Sequence, residues 1–329
     1  MNEFTGFLLV LIAGFTQGTV GALLRYTKPL RWENFWGIYV FLAFVVGPVM
    51  FAKLLIPNFD QLIFSIPPEY LYLPLLFGAI WGLGNVLFGI SLVRIGLSLT
   101  SSIIIGLVVL LGSILPIFIN HVVLTPSSLI FLIAGLVIVI TGVGLSGYSG
   151  MLRDKGQNVG KGIVSGIIIA ILGGIFSSML NVGFVTGKNI ALLAEESGVS
   201  NDNSSLLIWV VAIFAGFLVN IVYVIYLLFK NKSLNVYKKI TWGNILTISA
   251  AAIFWYASFA LFGIAAGKLG KLGPSVGWAM LLSLSIIISN LWGIKFGEWK
   301  NSKVALGFQL KSLGLIILGI VLIAISALS

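Results

Sequence analysis

The groups of this chain that could do chemistry in an apolar setting are neutral: Gln17, Trp81, Asn85, Asn181, Trp255, Tyr256 and Trp278, each inside a long apolar run. An amide presents a hydrogen-bond donor and an acceptor together, and an indole or phenol ring covers C–H surface. Amides beside aromatic faces suit a neutral polyol better than an ion. Trp81 and Asn85 are four residues apart, so on a helix they share a face and can line one wall. Thr16, Thr19, Ser177, Ser178, Asn220, Ser258, Ser283, Ser285 and Asn290 extend the neutral inventory. Each Asn, Ser or Thr has an alternative use as hydrogen-bonding glue between helices. Trp32, Trp36, Trp209, Trp242 and Trp299 sit where aromatic residues anchor a span at the membrane surface.

What is missing narrows the chemistry further. The nine acidic residues, among them Glu33 and Glu298, all fall outside or at the ends of the apolar runs, so no deep carboxylate awaits a cationic drug or polyamine. No Lys or Arg lies at a run's centre to meet an anionic substrate. With no cysteine and one histidine, His121, between runs, the sequence offers no metal site, no cofactor attachment and little for an enzyme to work with. Nineteen Lys and Arg against nine Asp and Glu could suggest a nucleic-acid partner, but the bases are scattered through short loops, and membrane topology explains them better.

The elements that must position these groups are membrane spans. Hydrophobic residues make up 59% of 329 positions and charged residues 9%, too few charges for a water-soluble globule. Apolar runs of about 20 residues are what a helix needs to cross a bilayer, and no alternating pattern of a barrel is present. The chain is expected to be an all-α integral membrane protein with ten spans, at 5–24, 34–56, 71–93, 97–120, 127–148, 162–185, 205–229, 242–266, 274–297 and 304–328. The first run is preceded by Glu3 and no basic residue, lacks a small-residue cleavage site and continues into a basic loop, and is expected to be a retained span. One alternating set of loops carries fourteen Lys and Arg, the other only Lys53, Lys188, Lys268 and Lys271. That bias places the first set in the cytoplasm and both termini outside. The outer loop 186–204 suits either a short surface helix or a solvated connector. Gly78, Gly82 and Gly89 share a helical side that should pack against another helix, and Pro48, Pro74, Pro116 and Pro274 mark bends.

A spaced pattern recurs 174 residues apart. Segment 79–96 reads AIWGLGNVLFGISLVRIG and segment 253–270 reads IFWYASFALFGIAAGKLG, matching Trp81 to Trp255, Gly89 to Gly263, Arg94 to Lys268 and Gly96 to Gly270. With five spans between them, the copies run in opposite directions, as in the inverted repeats from which many secondary transporters are built. The halves would be 1–150 and 151–329.

GAIWGLGNVLFGISLVRIGLSL at 78–99, RWENFW at 31–36, LLIPNF ending at Phe59, GGIFSS at 173–178, Lys188, the Gly198-Val199 step, Asn220, the FWY of span eight, Trp278 and the Glu298-Trp299 pair form an ordered set of segments. Together they resemble the L-rhamnose-proton symporter family of the drug/metabolite transporter superfamily. The resemblance covers nearly the whole chain. It implies the drug/metabolite transporter fold, ten helices in two inverted five-helix repeats, alternating access in a bacterial inner membrane, and inward movement of a deoxyhexose with protons. Gln17, Trp81, Asn85, Asn181, Trp255, Tyr256 and Trp278 would line the sugar site. The chain departs from the family pattern at the start of span nine, where GPSVGW at 273–278 holds no acidic residue. Coupling to a proton, or to sodium, would then fall to Glu33 or Glu298, unless these are loop charges paired with neighbouring bases. A same-superfamily alternative is an exporter of amino acids or other small metabolites.

Overall fold

The apolar runs fold as helices throughout, with no strand among the described residues. The computed structural model describes residues 2–27, 30–154 and 163–329; Lys28, Lys155 and Lys161 of the basic loops lie outside that set. In chain order the helices are α1 (Asn2–Leu24), α2 (Trp32–Leu55), α3 (Phe59–Ser65), α4 (Pro68–Ile119), α5 (Pro126–Arg153), α6 (Ile163–Ser177), α7 (Met179–Thr186), α8 (Lys188–Glu196), α9 (Asn201–Lys230), α10 (Trp242–Lys268), α11 (Gly273–Lys295) and α12 (Lys303–Leu328).

Among the described residues, nine helical stretches are long and apolar enough to cross a membrane, against ten expected spans. The difference lies in α4. Its 52 residues would reach about 78 Å if straight, far beyond a hydrocarbon core of about 30 Å. Gly96 interrupts it with φ 77° and ψ 167°, a backbone conformation essentially reserved for glycine. The limbs before and after Gly96 correspond to the third and fourth expected spans. Gly270, its partner in the sequence repeat, also has positive φ, 69°, just beyond the end of α10. Both copies of the pattern therefore end at a glycine with positive φ.

Local chemistry sets the other boundaries. Thr125, Thr241 and Ser302 cap α5, α10 and α12, accepting from the backbone N–H of Ser128, Asn244 and Ala305 at 3.1, 3.3 and 3.2 Å. A π-helical turn at Leu42–Val46 loosens α2 immediately before Pro48, whose ring cannot donate to the preceding turn. Loop 186–204 contains α8, a short surface helix, so of the two readings of that loop the helix is the one observed.

Small residues bring the helices together. A Cβ on Gly78 would collide with the Ala212 backbone of α9, and one on Gly82 would lie 2.8 Å from the Gly216 Cα. This is the close backbone approach expected of that glycine face. Gly89 instead looks onto the Trp32 ring of α2. α1 packs on α10 and α11, α6 on α4, and α5 on α12.

Candidate sugar cavity

The C-terminal ends of α1, α5, α9 and α11 share one side of the bundle with the N-terminal ends of α2, α10 and α12. This basic end carries Arg25, Arg31, Arg153, Lys230, Lys295 and Lys303. A cavity of about 460 Å³ lies in this half, within the size range of small-molecule sites. Its walls come from α1 (Gln17, Gly21) and Arg25 just beyond it, the second limb of α4 (Ser98, Ser101, Ser102), α5 (Ser146, Gly147, Arg153) and α11 (Ser285, Ser289, Asn290, Trp292), with Phe296, Glu298 and Trp299 at the turn beyond α11. The three α4 serines are spaced three and one apart, so they crowd one face of the helix toward the cavity.

These groups are held in place from behind. Ser258 of α10 donates to Gln17 Oε1 at 2.7 Å, which fixes the amide carbonyl and leaves its NH2 as the remaining donor. Asn290 Nδ2 bonds to Ile286 O at 2.9 Å and reaches the Ser146 hydroxyl at 3.4 Å, while Ser146 donates to Gln309 Oε1 at 3.2 Å. Trp292 Nε1 donates to Thr19 at 3.2 Å, and its ring stacks on Phe296 at 5.6 Å. The wall thus offers hydroxyls, amides and aromatic faces in one place.

Charge is confined to the basic rim. Glu298 accepts from Arg153 at 2.7 Å and stands 3.9 Å from Arg25. Arg153 also pairs with Asp154 at 2.8 Å and lies over the Trp299 ring, and Arg25 lies over Phe296. Hydrogen bonding from Arg153 holds the Asp154 carboxyl below its ordinary range; partial burial opposes this, and the Arg153 charge and the Ser98 hydroxyl add to the lowering. Among the described residues no cluster of acidic, Cys or His side chains is arranged to hold a metal.

Of the residues singled out from the sequence, Gln17, Ser285, Asn290, Glu298 and Trp299 line this cavity. Glu33 does not: it is buried where α2 meets the loop after α9, accepting from Ser233 at 2.7 Å and Asn231 at 3.1 Å, and so joins two chain segments. The others gather elsewhere, deeper and toward the opposite end. The repeat-related Trp81 and Trp255 stack on each other at 6.0 Å with planes 19° apart, and Phe44 packs against both, at 4.9 and 4.8 Å. Tyr256 is fully buried with Phe51 edge-on against its ring. Asn85 is half-buried, and its Nδ2 finds no partner. Asn181 Nδ2 bonds to Gly112 O at 2.7 Å and Pro274 O at 2.9 Å, and Trp278 Nε1 to Val108 O at 3.2 Å. Trp209 is not at a membrane surface as its position suggested: it is fully buried, stacked on Phe184 at 4.6 Å. Trp299 is likewise buried, bonding Ser149 at 3.0 Å in the cavity wall. The α4 serines, Ser146, Ser289 and the Trp292 indole are wall residues that the sequence reading did not single out. The serine signal was weak because serine is as common in helix packing as in binding, and Trp292 lies near a span end, where a ring also serves as an anchor.

A sequence profile of the L-rhamnose-proton symport protein (RhaT) matches residues 3–328. The chain belongs to that family. Among its relatives is an L-rhamnose-proton symporter of Yersinia pestis (strain Pestoides F), 25% identical over 310 residues that cover 90% of each chain. Another, of Citrobacter koseri, also an L-rhamnose-proton symporter, is 24% identical over 304 residues, 89% of this chain and 88% of its own. Membership of this family, together with the apolar helices, makes the chain a multi-pass membrane protein of a transport family.

Proposed function

We propose that this chain is a secondary active transporter that carries a neutral deoxyhexose, L-rhamnose or a close analogue, into the cell together with a proton. The observation that carries the reading is the cavity at the basic end, walled by serine hydroxyls, the Gln17 and Asn290 amides and the Trp292 ring, with its charges paired at the rim. A polyol needs donors, acceptors and a ring face, and each is present. A zwitterionic amino acid would need a free cation and a free anion, whereas Arg153 and Glu298 are engaged with each other. The names of the relatives agree with the sugar and with the proton.

In this reading the ten spans, counting α4 as two, form inverted repeats over 1–150 and 151–329. The packing supports it: α1 sits on α11 as α6 sits on the second limb of α4, and Gly96 and Gly270, partners in the sequence repeat, both have positive φ. Loop basicity puts the basic end in the cytoplasm of a bacterial inner membrane, with both termini outside. The cavity is then the inward-facing half of an alternating pathway. Gln17 is the sugar contact shared by the sequence reading and the cavity, while Trp81, Asn85, Trp255 and Tyr256 form the core separating the two sides. Glu298 is better placed than Glu33 to couple a proton, since it lines the cavity and bridges Arg25 and Arg153, so protonating it would loosen the rim.

Uptake of labelled L-rhamnose into vesicles tests this, with an imposed proton gradient in one series and a sodium gradient in another. Saturable uptake driven by the proton gradient is expected. Indifference to every deoxyhexose, or counterflow with amino acids instead, would overturn the sugar assignment.

A further inference from the structure

The closed end of the bundle repeats the open end in reverse, and the comparison singles out one amide. A Cβ added at Gly14 of α1 would lie 2.7 Å from Leu284 of α11, and one at Gly174 of α6 would lie 2.8 Å from Leu107 of α4. These are matching contacts of the two halves. Seven residues beyond Gly14, toward the basic end, Gly21 lines the cavity and has nothing within 4 Å of where its Cβ would be. Seven residues beyond Gly174, toward the other end, stands Asn181, fully buried.

Asn181 closes its end by joining three helices, since its Nδ2 on α7 bonds to carbonyls of both α4 and α11. Trp278 adds a second closure. Its indole fills the notch left by the missing side chain of Gly112 and donates to Val108. Two polar atoms at this seam are buried without a partner: Asn181 Oδ1, and the Ser113 hydroxyl on the same buried stretch of α4. An unpaired buried polar group is costly in a closed protein. It is useful in one that opens.

We infer that Asn181 has alternating roles: in the closed seam it latches α4, α7 and α11, and when the seam opens to the other face its freed amide, with the Ser113 hydroxyl, contacts the sugar. The latch needs only that the protein transports by alternating access; the second role rests on the sugar reading above. The amide suits both roles because the NH2 that grips two carbonyls can grip two sugar hydroxyls, and Oδ1 is already free to accept.

The test uses the absence of native cysteine. Single reporters Ser113→Cys at the seam and Ser289→Cys in the cavity are labelled with a membrane-impermeant maleimide in vesicles of both orientations. Adding Asn181→Ala is expected to raise Ser113→Cys labelling about tenfold from the face opposite the basic loops and to lower Ser289→Cys labelling from the basic face, the population shift expected on losing two latch bonds. Trp278→Phe, which keeps a ring but loses the bond to Val108, is expected to move both rates the same way by less, and serves if Asn181→Ala does not fold. Unchanged labelling at both reporters overturns the latch. A shifted labelling pattern with unaltered apparent affinity for outside sugar overturns the contact role. If no deoxyhexose is taken up yet labelling responds, the latch stands and the sugar reading falls.

Discussion

The two ends of this bundle differ in what fills the space between the same kinds of helix. At the basic end α1, α4, α5 and α11 diverge around hydroxyls, amides and a rim of paired charges. At the opposite end rings and backbone fill the centre: Trp209 on Phe184, Phe262 edge-on to Trp278, and Asn181 gripping two carbonyls. Neither end is apolar by composition alone. The difference is whether each polar group faces a cavity or is spent on a neighbouring helix, and that difference sets what a substitution should do at each end.

The largest contrast is between two glycines. Gly78→Leu would drive a side chain into the α9 backbone at Ala212, where a rigid carbonyl cannot give way. Loss of folded protein is expected, measured as the monodisperse fraction in detergent. Gly21→Ala enters open space beside the cavity and should leave that fraction unchanged. Equal tolerance at both sites would refute the packing asymmetry.

Next come the tryptophans. Trp81 is buried between Trp255 and Phe44, so Trp81→Ala should cost about 3–5 kcal/mol, the usual range for removing a large buried ring. Melting temperature and yield should fall together. Trp292 borders the cavity, and Trp292→Ala should chiefly raise the KM for sugar, with a smaller change in melting temperature. If Trp81→Ala instead abolished uptake at full stability, the buried stack would be a binding surface and the assignment of the two regions would reverse.

These contrasts mark where the sequence was legible. Membrane helices follow from apolar length, and both copies of the repeat motif end at a glycine of positive φ, Gly96 at 77° and Gly270 at 69°. The break at Gly96 falls in the gap between the expected spans 71–93 and 97–120, a gap read from the apolar runs and not from the glycine. Which polar residues face the cavity was not readable. Asn181 and Gln17 are both amides in apolar runs, and only the three-dimensional packing makes one a clasp and the other a wall. Trp209 went the same way: from sequence it sits near a span end, yet the surrounding helices cover it completely. Glu33 and Glu298 were indistinguishable until the loop after α9 folded over one and the cavity opened beside the other.

Glu298→Gln sharpens the comparison at the rim. It removes the charge that Arg25 and Arg153 share, while Arg153 keeps Asp154. Uptake driven by a proton gradient should fall to the level of counterflow without a gradient, with folded yield retained because the carboxylate is substantially exposed. Preserved proton drive would shift the coupling role away from this rim.

The smallest expected effect concerns pH, and it separates the ends most cleanly because the seam at Asn181 and Trp278 is built from groups that do not titrate in the physiological range, whereas the basic rim contains Asp154. Its carboxyl sits below its ordinary 3.8, chiefly through the hydrogen bond from Arg153. A group with a depressed folded-state value stabilises the fold fully above its unfolded value and loses that contribution as pH falls through the folded one. Asp154→Asn should therefore lower the melting temperature slightly at neutral pH, and the gap to the parent should narrow as pH drops below about 4. Thermal scans in detergent across that window read the difference directly. A gap that stayed constant would mean that Asp154 acts through its hydrogen bond with Ser98 as a neutral acceptor would, and not through its charge on Arg153.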